Sequence, residues 1–477
     1  MIAPAPPRVS RRQAIRDAVV AALALGVPGI SLAQADRMTR FPWPFDIDGD
    51  GFVSSRDRQL IASAIRAGRG NRVRPAADWD ARLDFLGRGS IDPDRLAHFD
   101  RLAPTLGKRL PPRPVVACWH YGWYSRGRRR RETPTVGYIG GDYLSTDRRT
   151  EEEFNSLKEE FGINADILSW IDDRDMLRAY QRGYLSADNH HRRRFGLLYE
   201  SQINLSANGR VDLSADSPQA NKLVRDFRRM GQWLVETAGE GSNQLLRVDD
   251  RPVVYVFGSH TFGLTDRDLP AVGAALIRAR EEFAETAGAH PYLVGDESIF
   301  PGDPDVALDR RYRASYFDAV TRYHHYDEAH IRKIGEDRAV RMDAAYRDGI
   351  VALERRNMGG FARVKNRYTD DPVLVVPSSA AGFAKSKLPS LRASREDYED
   401  WLEAMQTLTD EHIDLRHRDR LNTTSLGAPL VFAGSWNEEF EGHAVMPAAR
   451  SRALIERRQS GFDWLYAIKS RYGVAPI

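Results

Sequence analysis

The sequence predicts an α/β protein whose main domain is a (β/α)8 TIM barrel. From Val115 onward, short apolar runs alternate with amphipathic helical segments, which is the pattern of repeated β-α units around a parallel sheet. Eight such runs can be counted, and eight parallel strands are the number that closes a barrel. An open, doubly wound sheet is the alternative, but no glycine-rich phosphate loop follows the first run.

The predicted strands are spread over the whole of this domain. They cover residues 115–119, 167–170, 195–200, 252–257, 291–294, 317–321, 372–376 and 429–433. Two of the segments between them, 151–161 and 221–237, carry apolar side chains at helical spacing. In a barrel the carboxyl ends of all strands meet at one end, so the residues that directly follow each run are the candidate pocket.

Aromatic and acidic side chains follow several of these strands. We expect substrate-binding roles for Tyr121 and Trp123 after the first strand, Trp170 after the second, Glu200 at the third and Tyr323 after the sixth. Aromatic rings with scattered carboxylates are typical of a cleft that binds carbohydrate. Further polar residues, Ser259, His260, Asp296, Glu297, Ser378 and Ser379, follow the fourth, fifth and seventh strands.

The last predicted strand delivers the densest group of chemical side chains. Its apolar run is followed at once by Trp436, Asn437, Glu438, Glu441 and His443. Two carboxyl groups three residues apart suit work on a sugar, since one can donate a proton to a departing oxygen while the other removes a proton or supports positive charge. The indole of Trp436 is expected to stack on a sugar ring. Solvated loop carboxylates without a catalytic role are the alternative.

The segment VFAGSWNEEFEG resembles the catalytic signature WNExxEG of glycoside hydrolase family 99, the endo-alpha-mannosidase-like enzymes. The resemblance also includes CWHYGWYS, GYIGGDYLSTD and ILSWIDD, and it covers residues 115–472. It implies that Glu438 is the general base acting on the substrate's own 2-hydroxyl and that Glu441 is the general acid. Between the two glutamates the chain has Glu439 and Phe440, where the family usually shows an aromatic and then a polar residue.

The resemblance implies a retaining, endo-acting hydrolase of an alpha-mannoside or a related alpha-linked polysaccharide or oligosaccharide, which reacts through a 1,2-anhydro sugar. In that reading Asn437 and His443 join Trp436 among the substrate-binding residues. Two alternatives stay open. One is a non-catalytic glycan-binding protein on the same barrel, and the other is a glycosidase of the alpha-1,3-glucanase type.

The amino terminus predicts export. Residues 1–35 combine a basic start, an apolar middle and the small-residue cleavage site Ala33-Gln34-Ala35, which is the composition of a signal peptide. The pair Arg11-Arg12 favours the twin-arginine route. We therefore expect a secreted or periplasmic protein without a membrane span in its mature form. A net charge of +3 gives no argument for a nucleic-acid partner.

A calcium loop is predicted between the signal peptide and the barrel. In DIDGDGFVSSRD, residues 46–57, aspartates occupy loop positions one, three and five, glycine occupies position six and an aspartate occupies position twelve. Hard oxygen ligands at this spacing surround Ca²⁺. The expected structural Ca²⁺ site comprises Asp46, Asp48, Asp50, Phe52, Ser54 and Asp57. A coincidental acidic turn is the alternative.

This loop and the helical stretch after it resemble a dockerin repeat, and residues 84–95 resemble a degenerate second repeat. The resemblance implies a small helical EF-hand-like or dockerin-like module over residues 36–103, with a cohesin-like domain as its candidate partner. A proline-rich linker over 104–114 then leads to the barrel domain, 115–477.

Overall fold

The computed structural model describes most of the barrel domain and parts of the amino-terminal region. The described residues are 43–47, 52–66, 72–73, 90–91, 96, 99–100, 110, 113–124, 138, 143–205, 209–238, 244–263, 268–297, 313–323, 340–341, 347–352, 355, 361, 364–380, 382–383, 391–392, 395–416, 424, 429–438, 444–446 and 463–473. The chain forms two compact units, Met1–Pro111 and Pro112–Ile477.

The first unit contains helix α1 (Ser55–Ala64), a 3-10 turn at Trp43–Phe45 and an antiparallel pair of two-residue strands, Arg72–Val73 and Ser90–Ile91. A small apolar core holds it together, and its buried members are Phe45, Ile47, Val53, Ile61, Ala64 and Phe99. Helix α1 begins with a capping box, in which the Ser54 hydroxyl accepts from Arg56 N–H and the Asp57 carboxylate accepts from Ser54 N–H. These bonds satisfy N–H groups that have no partner inside the helix.

The second unit is built on eight parallel strands. They are β1 (Val115–His120), β2 (Ala165–Trp170), β3 (Arg194–Glu200), β4 (Arg251–Phe257), β5 (Tyr292–Asp296), β6 (Ala319–Thr321), β7 (Leu374–Val375) and β8 (Leu430–Ser435). Their order across the sheet is β7-β6-β5-β4-β3-β2-β1-β8. A parallel bridge between Ser378, just after β7, and Phe432 of β8 links the two ends. The predicted eight strands are thus present, and the curled sheet is consistent with a (β/α)8 barrel.

Helices connect the strands. They are α2 (Arg148–Glu160), α3 (Arg174–Arg182), α4 (Ser201–Asn204), α5 (Pro218–Ala238), α6 (Leu269–Ala287), α7 (Arg395–Arg416) and α8 (Asp463–Tyr472), with 3-10 turns at Tyr184–Ser186, His190–Arg192 and Ser259–Thr261. Short strands at Arg247–Val248, Val340–Arg341, Gly382–Phe383 and Leu391–Arg392 form minor pairings. In the described part of the chain, no helix combines the length and apolar character that a membrane span needs.

Aromatic side chains fill the inside of the barrel. The ring of Trp119 contacts Tyr255, Tyr323 and Phe432, with ring centroids 4.9–5.7 Å apart. Because successive side chains of a strand point to opposite faces, the neighbours of Trp119 in β1, Cys118 and His120, point outward toward the helices. Both are fully buried there, and burial raises the pKa of the Cys118 thiol.

Strand β8 carries a bulge directly before the predicted catalytic loop. Phe432 pairs with Ala117, but the next pair along the two strands is Ser435 with Trp119, so β8 contains one extra residue. Gly434 has φ +87°, which lies in the left-handed region that glycine adopts without strain. Beyond the bulge the alternation of faces is shifted by one residue. Ser435 is on the inner side with Trp119, and Trp436 is therefore on the outer side.

Candidate active site

The segment that follows the bulge is tied to the end of β1. The Ser435 hydroxyl accepts from the backbone N–H of Glu438 at 3.0 Å, which forms a tight turn. The N–H of Trp436 donates to the carbonyl of Trp119 at 2.6 Å. These bonds hold the backbone of Glu438 at the carboxyl end of the sheet, where active sites of barrels lie.

Asn437 acts as a clamp between the ends of β8 and β1. Its side-chain carbonyl accepts from the N–H of Tyr121 at 2.8 Å, and its amide donates to the carbonyl of Tyr121 at 2.9 Å and to the hydroxyl of Tyr143 at 3.1 Å. The hydroxyl of Tyr124 donates to the Asn437 backbone carbonyl. Both amide N–H bonds are used within the protein, so this geometry gives Asn437 a positioning role rather than the substrate contact expected from sequence.

Two phenols, Tyr121 and Tyr323, lie together at the strand ends, and the charges of Glu200 and Glu438 act on Tyr121. The hydroxyls of Tyr121 and Tyr323 are 2.6 Å apart. Burial raises the pKa of Tyr121 well above its usual value, and the charges of Tyr323, Glu200 and Glu438 raise it further. The charges of both glutamates therefore act on the Tyr121 hydroxyl, although the two residues are far apart in the sequence. The structure brings together four of the predicted site residues.

Both carboxylates are almost completely shielded from solvent. Glu438 is 3% and Glu200 is 4% exposed. Glu200 accepts a hydrogen bond of 2.8 Å from the Ser169 hydroxyl of the neighbouring strand. Exclusion of water strengthens every electrostatic interaction in such a site. A phenol with a raised pKa stays protonated at neutral pH, so Tyr121 can donate a hydrogen bond.

An aromatic platform is present beside the carboxylates, but it is formed by Trp123. The rings of Trp123 and Tyr121 stack at 4.3 Å with an interplanar angle of 25°, and Trp123 is partly exposed. A partly exposed indole ring suits contact with the apolar face of a sugar.

Trp436 is not in the position that the sequence predicted for a sugar-stacking ring. Its indole is fully buried, 5.4 Å from the ring of Phe154 and 4.9 Å from the ammonium group of Lys158, both on α2. The bulge at Gly434 is the physical reason, because it turns Trp436 to the outer side of the sheet.

Trp170 is also turned away from the pocket. It pairs with Tyr199 of β3, and the two rings stack at 6.1 Å. The hydroxyl of Tyr199 donates to Asp226 on α5, so this face of the strands points to the helices. Trp170 therefore packs in the outer layer, which corrects its predicted role in substrate binding.

A third carboxylate, that of Asp296, joins the ends of β4, β5 and β6. Asp296, at the end of β5, accepts hydrogen bonds from the N–H groups of Gly258 and Tyr323 at 3.0 and 3.2 Å. Burial raises the pKa of Asp296. The imidazole Nδ1 of His260 lies 3.0 Å from the Asp296 carbonyl. Its position after the fifth apolar run is the sequence feature that predicted Asp296 at this end of the sheet.

Several predicted residues fall outside the described residues. These are the general acid Glu441, the substrate-binding residue His443, and the calcium ligands Asp48 and Asp50. Within the residues that the structure does describe, no group of three or more histidine, cysteine, aspartate or glutamate side chains could hold a metal ion.

Residues 46–47 and 52–57 of the predicted calcium loop are described. The buried Asp57 carboxylate, at position twelve, accepts from the N–H of Ile47 and of Ser54, both at 2.7 Å, and so closes the loop. Val53, at position eight, is fully buried in the small core of the first unit. Phe52 is 37% exposed, and a contact of its carbonyl with Ca²⁺ stays a prediction.

Comparison with known proteins adds evidence on the fold. No protein-family model and no curated protein matches the chain. A solved structure described as a glycoside hydrolase-like protein is 12% identical, with a TM-score of 0.54 over 78% of this chain and 98% of its own. A GH99 endo-alpha-mannosidase from Bacteroides thetaiotaomicron is 14% identical, with a TM-score of 0.44 over 76% of this chain and 96% of its own. The first similarity supports the barrel fold, and identities this low assign no family.

Proposed function

We propose that this protein is a retaining glycoside hydrolase that acts within an alpha-mannoside or a related alpha-linked polysaccharide. The observation that carries the proposal is the buried Glu438, held at the end of β8 by Ser435 and brought near Glu200 and the Tyr121–Tyr323 hydroxyl pair. A buried carboxylate whose charge acts on a phenol hydroxyl, with the ring of Trp123 stacked on that same phenol, supports chemistry on a sugar.

In the proposed reaction, Glu438 removes the proton from the sugar's 2-hydroxyl. The 2-oxygen then forms a bond to the anomeric carbon while the bond to the leaving oxygen breaks, and Glu441 gives its proton to that oxygen. Water next opens the 1,2-anhydro sugar, with its proton passing to Glu441 and the proton on Glu438 returning to the 2-oxygen. Both carboxyl groups end in their starting protonation states.

Each described neighbour has a part in this scheme. Asn437 fixes the backbone that carries Glu438, and the protonated Tyr121 donates a hydrogen bond to a substrate oxygen or to Glu438. The ring of Trp123, which stacks on Tyr121, contacts the apolar face of the sugar ring. The same residues would also serve a non-catalytic glycan-binding protein or an alpha-1,3-glucanase-type enzyme, so the experiment has to separate these cases.

Digestion of a polysaccharide panel by the wild type, Glu438→Gln and Glu441→Gln tests the proposal. We expect oligosaccharide release from an alpha-mannan by the wild type and a loss of about 10²- to 10⁴-fold in each variant. Glu439→Gln is the matched control in the same loop and should retain activity. Sugar binding by all proteins without release of oligosaccharides by any would favour the binding protein. Activity confined to alpha-1,3-glucan would favour the glucanase.

An activated 2-fluoro sugar tests the route through the 2-hydroxyl. Because the proposed reaction needs that hydroxyl, the 2-fluoro compound should be inert and should leave no covalent adduct. Mass spectrometry that finds a sugar ester on Glu438 would replace this route with an enzyme nucleophile and leave the hydrolase proposal standing.

We also propose that the first unit binds one structural Ca²⁺ through the loop at residues 46–57. The closed loop around Asp57 and the buried Val53 support this. Chelation should then lower the melting transition of this unit and leave the initial rate of hydrolysis unchanged. An immediate loss of activity with chelator, restored by Ca²⁺, would contradict the separation. A pull-down with an immobilised cohesin domain tests the proposed partner.

Export by the amino-terminal signal remains part of the proposal. Cleavage after Ala35 would give a mature chain that begins at Asp36. Amino-terminal sequencing of the exported protein checks the cleavage, and replacement of both Arg11 and Arg12 by lysine should block export if the twin-arginine route is used.

A further inference from the structure

A fully buried group of charged side chains lies on the outer side of β1 and β2, against α2. The ammonium group of Lys158 lies 2.7 Å from Asp166 Oδ1 and 2.8 Å from His120 Nδ1. Arg193 pairs with the other oxygen of Asp166 at 3.0 Å, and Glu151 lies 3.4 Å from His120 Nε2. None of the five residues is more than 3% exposed. We call this group the Lys158 cluster.

The Lys158 cluster is balanced in charge. His120 lies between the two kinds of charge, with Nδ1 toward Lys158 and Nε2 toward Glu151. Two cations, Lys158 and Arg193, face two carboxylates, Glu151 and Asp166. Burial lowers the pKa of Lys158, and the charge of Asp166 opposes that effect. Burial alone would raise the pKa of Asp166, but Arg193 and Lys158 hold it below its usual value.

The cluster contacts both chain segments that carry the candidate active site. The Lys158 ammonium group lies 4.9 Å from the ring centroid of Trp436, which is two residues before Glu438. Phe154, one turn earlier on α2, contacts the same ring edge-on at 5.4 Å. His120 directly precedes Tyr121. A cation over an indole face is attracted to it, most strongly when both are away from water.

We propose that Lys158 is a positioning residue for catalysis. Its ammonium group holds the indole of Trp436 on the outer side of β8, and Trp436 fixes the backbone that presents Glu438. The hydrogen bonds of Asn437 to Tyr121 hold the same backbone from the inner side. Glu438 is thus anchored from both sides of the sheet. This inference rests on the proposed function for its effect on activity, and not for its effect on the loop.

The variant Lys158→Met tests the proposal, with Arg280→Met as a matched control. Arg280 is equally buried, pairs with Asp318 at 2.9 Å and lies 4.9 Å from the ring of Tyr368, but it is in contact with β6 rather than with the catalytic loop. Both variants should melt at lower temperature. Well below both melting points, only Lys158→Met should lose kcat, by about 10- to 100-fold, with KM within about twofold of the wild type. Lys158→Arg should recover part of the rate.

Hydrogen exchange provides a readout that does not depend on activity. In Lys158→Met the amides of residues 435–438 should exchange faster than in the wild type, and in Arg280→Met they should not. Equal loss of kcat in the two variants, or unchanged exchange in this segment, would overturn the positioning role. A wild type without hydrolytic activity would instead refute the proposed function, and hydrogen exchange would still decide this proposal.

A second variant covers the case in which Lys158→Met does not fold. Trp436→Leu removes the ring and leaves the charges of the cluster intact. The same loss of kcat and the same faster exchange are expected from it. Full activity of Trp436→Leu would overturn the proposal.

Discussion

Two buried aspartates, Asp166 and Asp318, have the same chemistry in two regions of the barrel. Asp166 lies between Lys158 and Arg193, at 2.7 and 3.0 Å. Asp318 lies between Arg251 and Arg280, at 2.8 and 2.9 Å. Each carboxylate therefore meets two cations in a place that water barely reaches.

The two regions differ in what surrounds the ion pairs. Asp318 stands at the amino-terminal end of β6 and accepts further bonds from the N–H of Leu293, at 2.8 Å, and the amide of Asn366, at 2.9 Å. Its region joins strand beginnings, which in barrels serve stability. Asp166, the second residue of β2, is also near a strand beginning, but through Lys158 its region extends to Trp436 at the end of β8. The two ion-pair groups thus differ in role because Lys158 contacts Trp436, near the candidate active site, whereas Arg280 contacts Tyr368.

The largest expected effect comes from breaking the two clusters at their aspartates. Asp166→Asn leaves the buried Lys158 and Arg193 without a full counter-charge, so it should lower the free energy of unfolding by about 3–5 kcal/mol. Asp318→Asn does the same to the buried Arg280 and the partly exposed Arg251, so its loss should lie at the lower end of that range. Urea denaturation measures this loss. Only Asp166→Asn should also slow hydrolysis by the folded protein. A slower reaction in Asp318→Asn would remove the distinction between the two regions.

A smaller effect is expected at the bulge of β8. Gly434→Ala places a side chain at φ +87° and brings its Cβ within 3.3 Å of the Ser379 carbonyl, which should cost about 1–2 kcal/mol of stability. Gly288→Ala, at φ +71° beyond the end of α6, is the matched control with similar strain. Thermal melts should show comparable losses, while the rate of hydrolysis should fall only in Gly434→Ala. Equal rates would mean that the bulge does not set the position of Glu438.

The smallest effect is expected from an ion pair on the surface of the first unit. Arg58 and Asp100 are 2.6 Å apart, with 45% and 42% of their side chains exposed. Water and salt screen such a pair, so Arg58→Met should leave the melting transition of its unit nearly unchanged. Circular dichroism at low and high salt checks this. A shift as large as that of Arg280→Met would show that burial is not what separates strong from weak ion pairs here.

Much of the barrel could be predicted from the sequence because a strand buried on both faces reads as a continuous apolar run. All eight predicted runs became strands, with ends that differ by a few residues, as between the predicted 372–376 and the observed Leu374–Val375. The position of Glu438 directly after the last run also followed from that local pattern. The composition of one segment was sufficient for these features, because a strand that is buried on both faces must itself consist of apolar residues.

Only the tertiary structure decided which face each side chain occupies. Counting alternate residues from Phe432 puts Trp436 inside the barrel, but the extra residue at Gly434, visible only in the pairing of β8 with β1, turns it outside. The Asn437 clamp joins residues 316 positions apart, and the Lys158 cluster collects its members from two strands, a helix and the residue before β3. Such contacts depend on which distant segments pair and in which register, and no local sequence pattern specifies either.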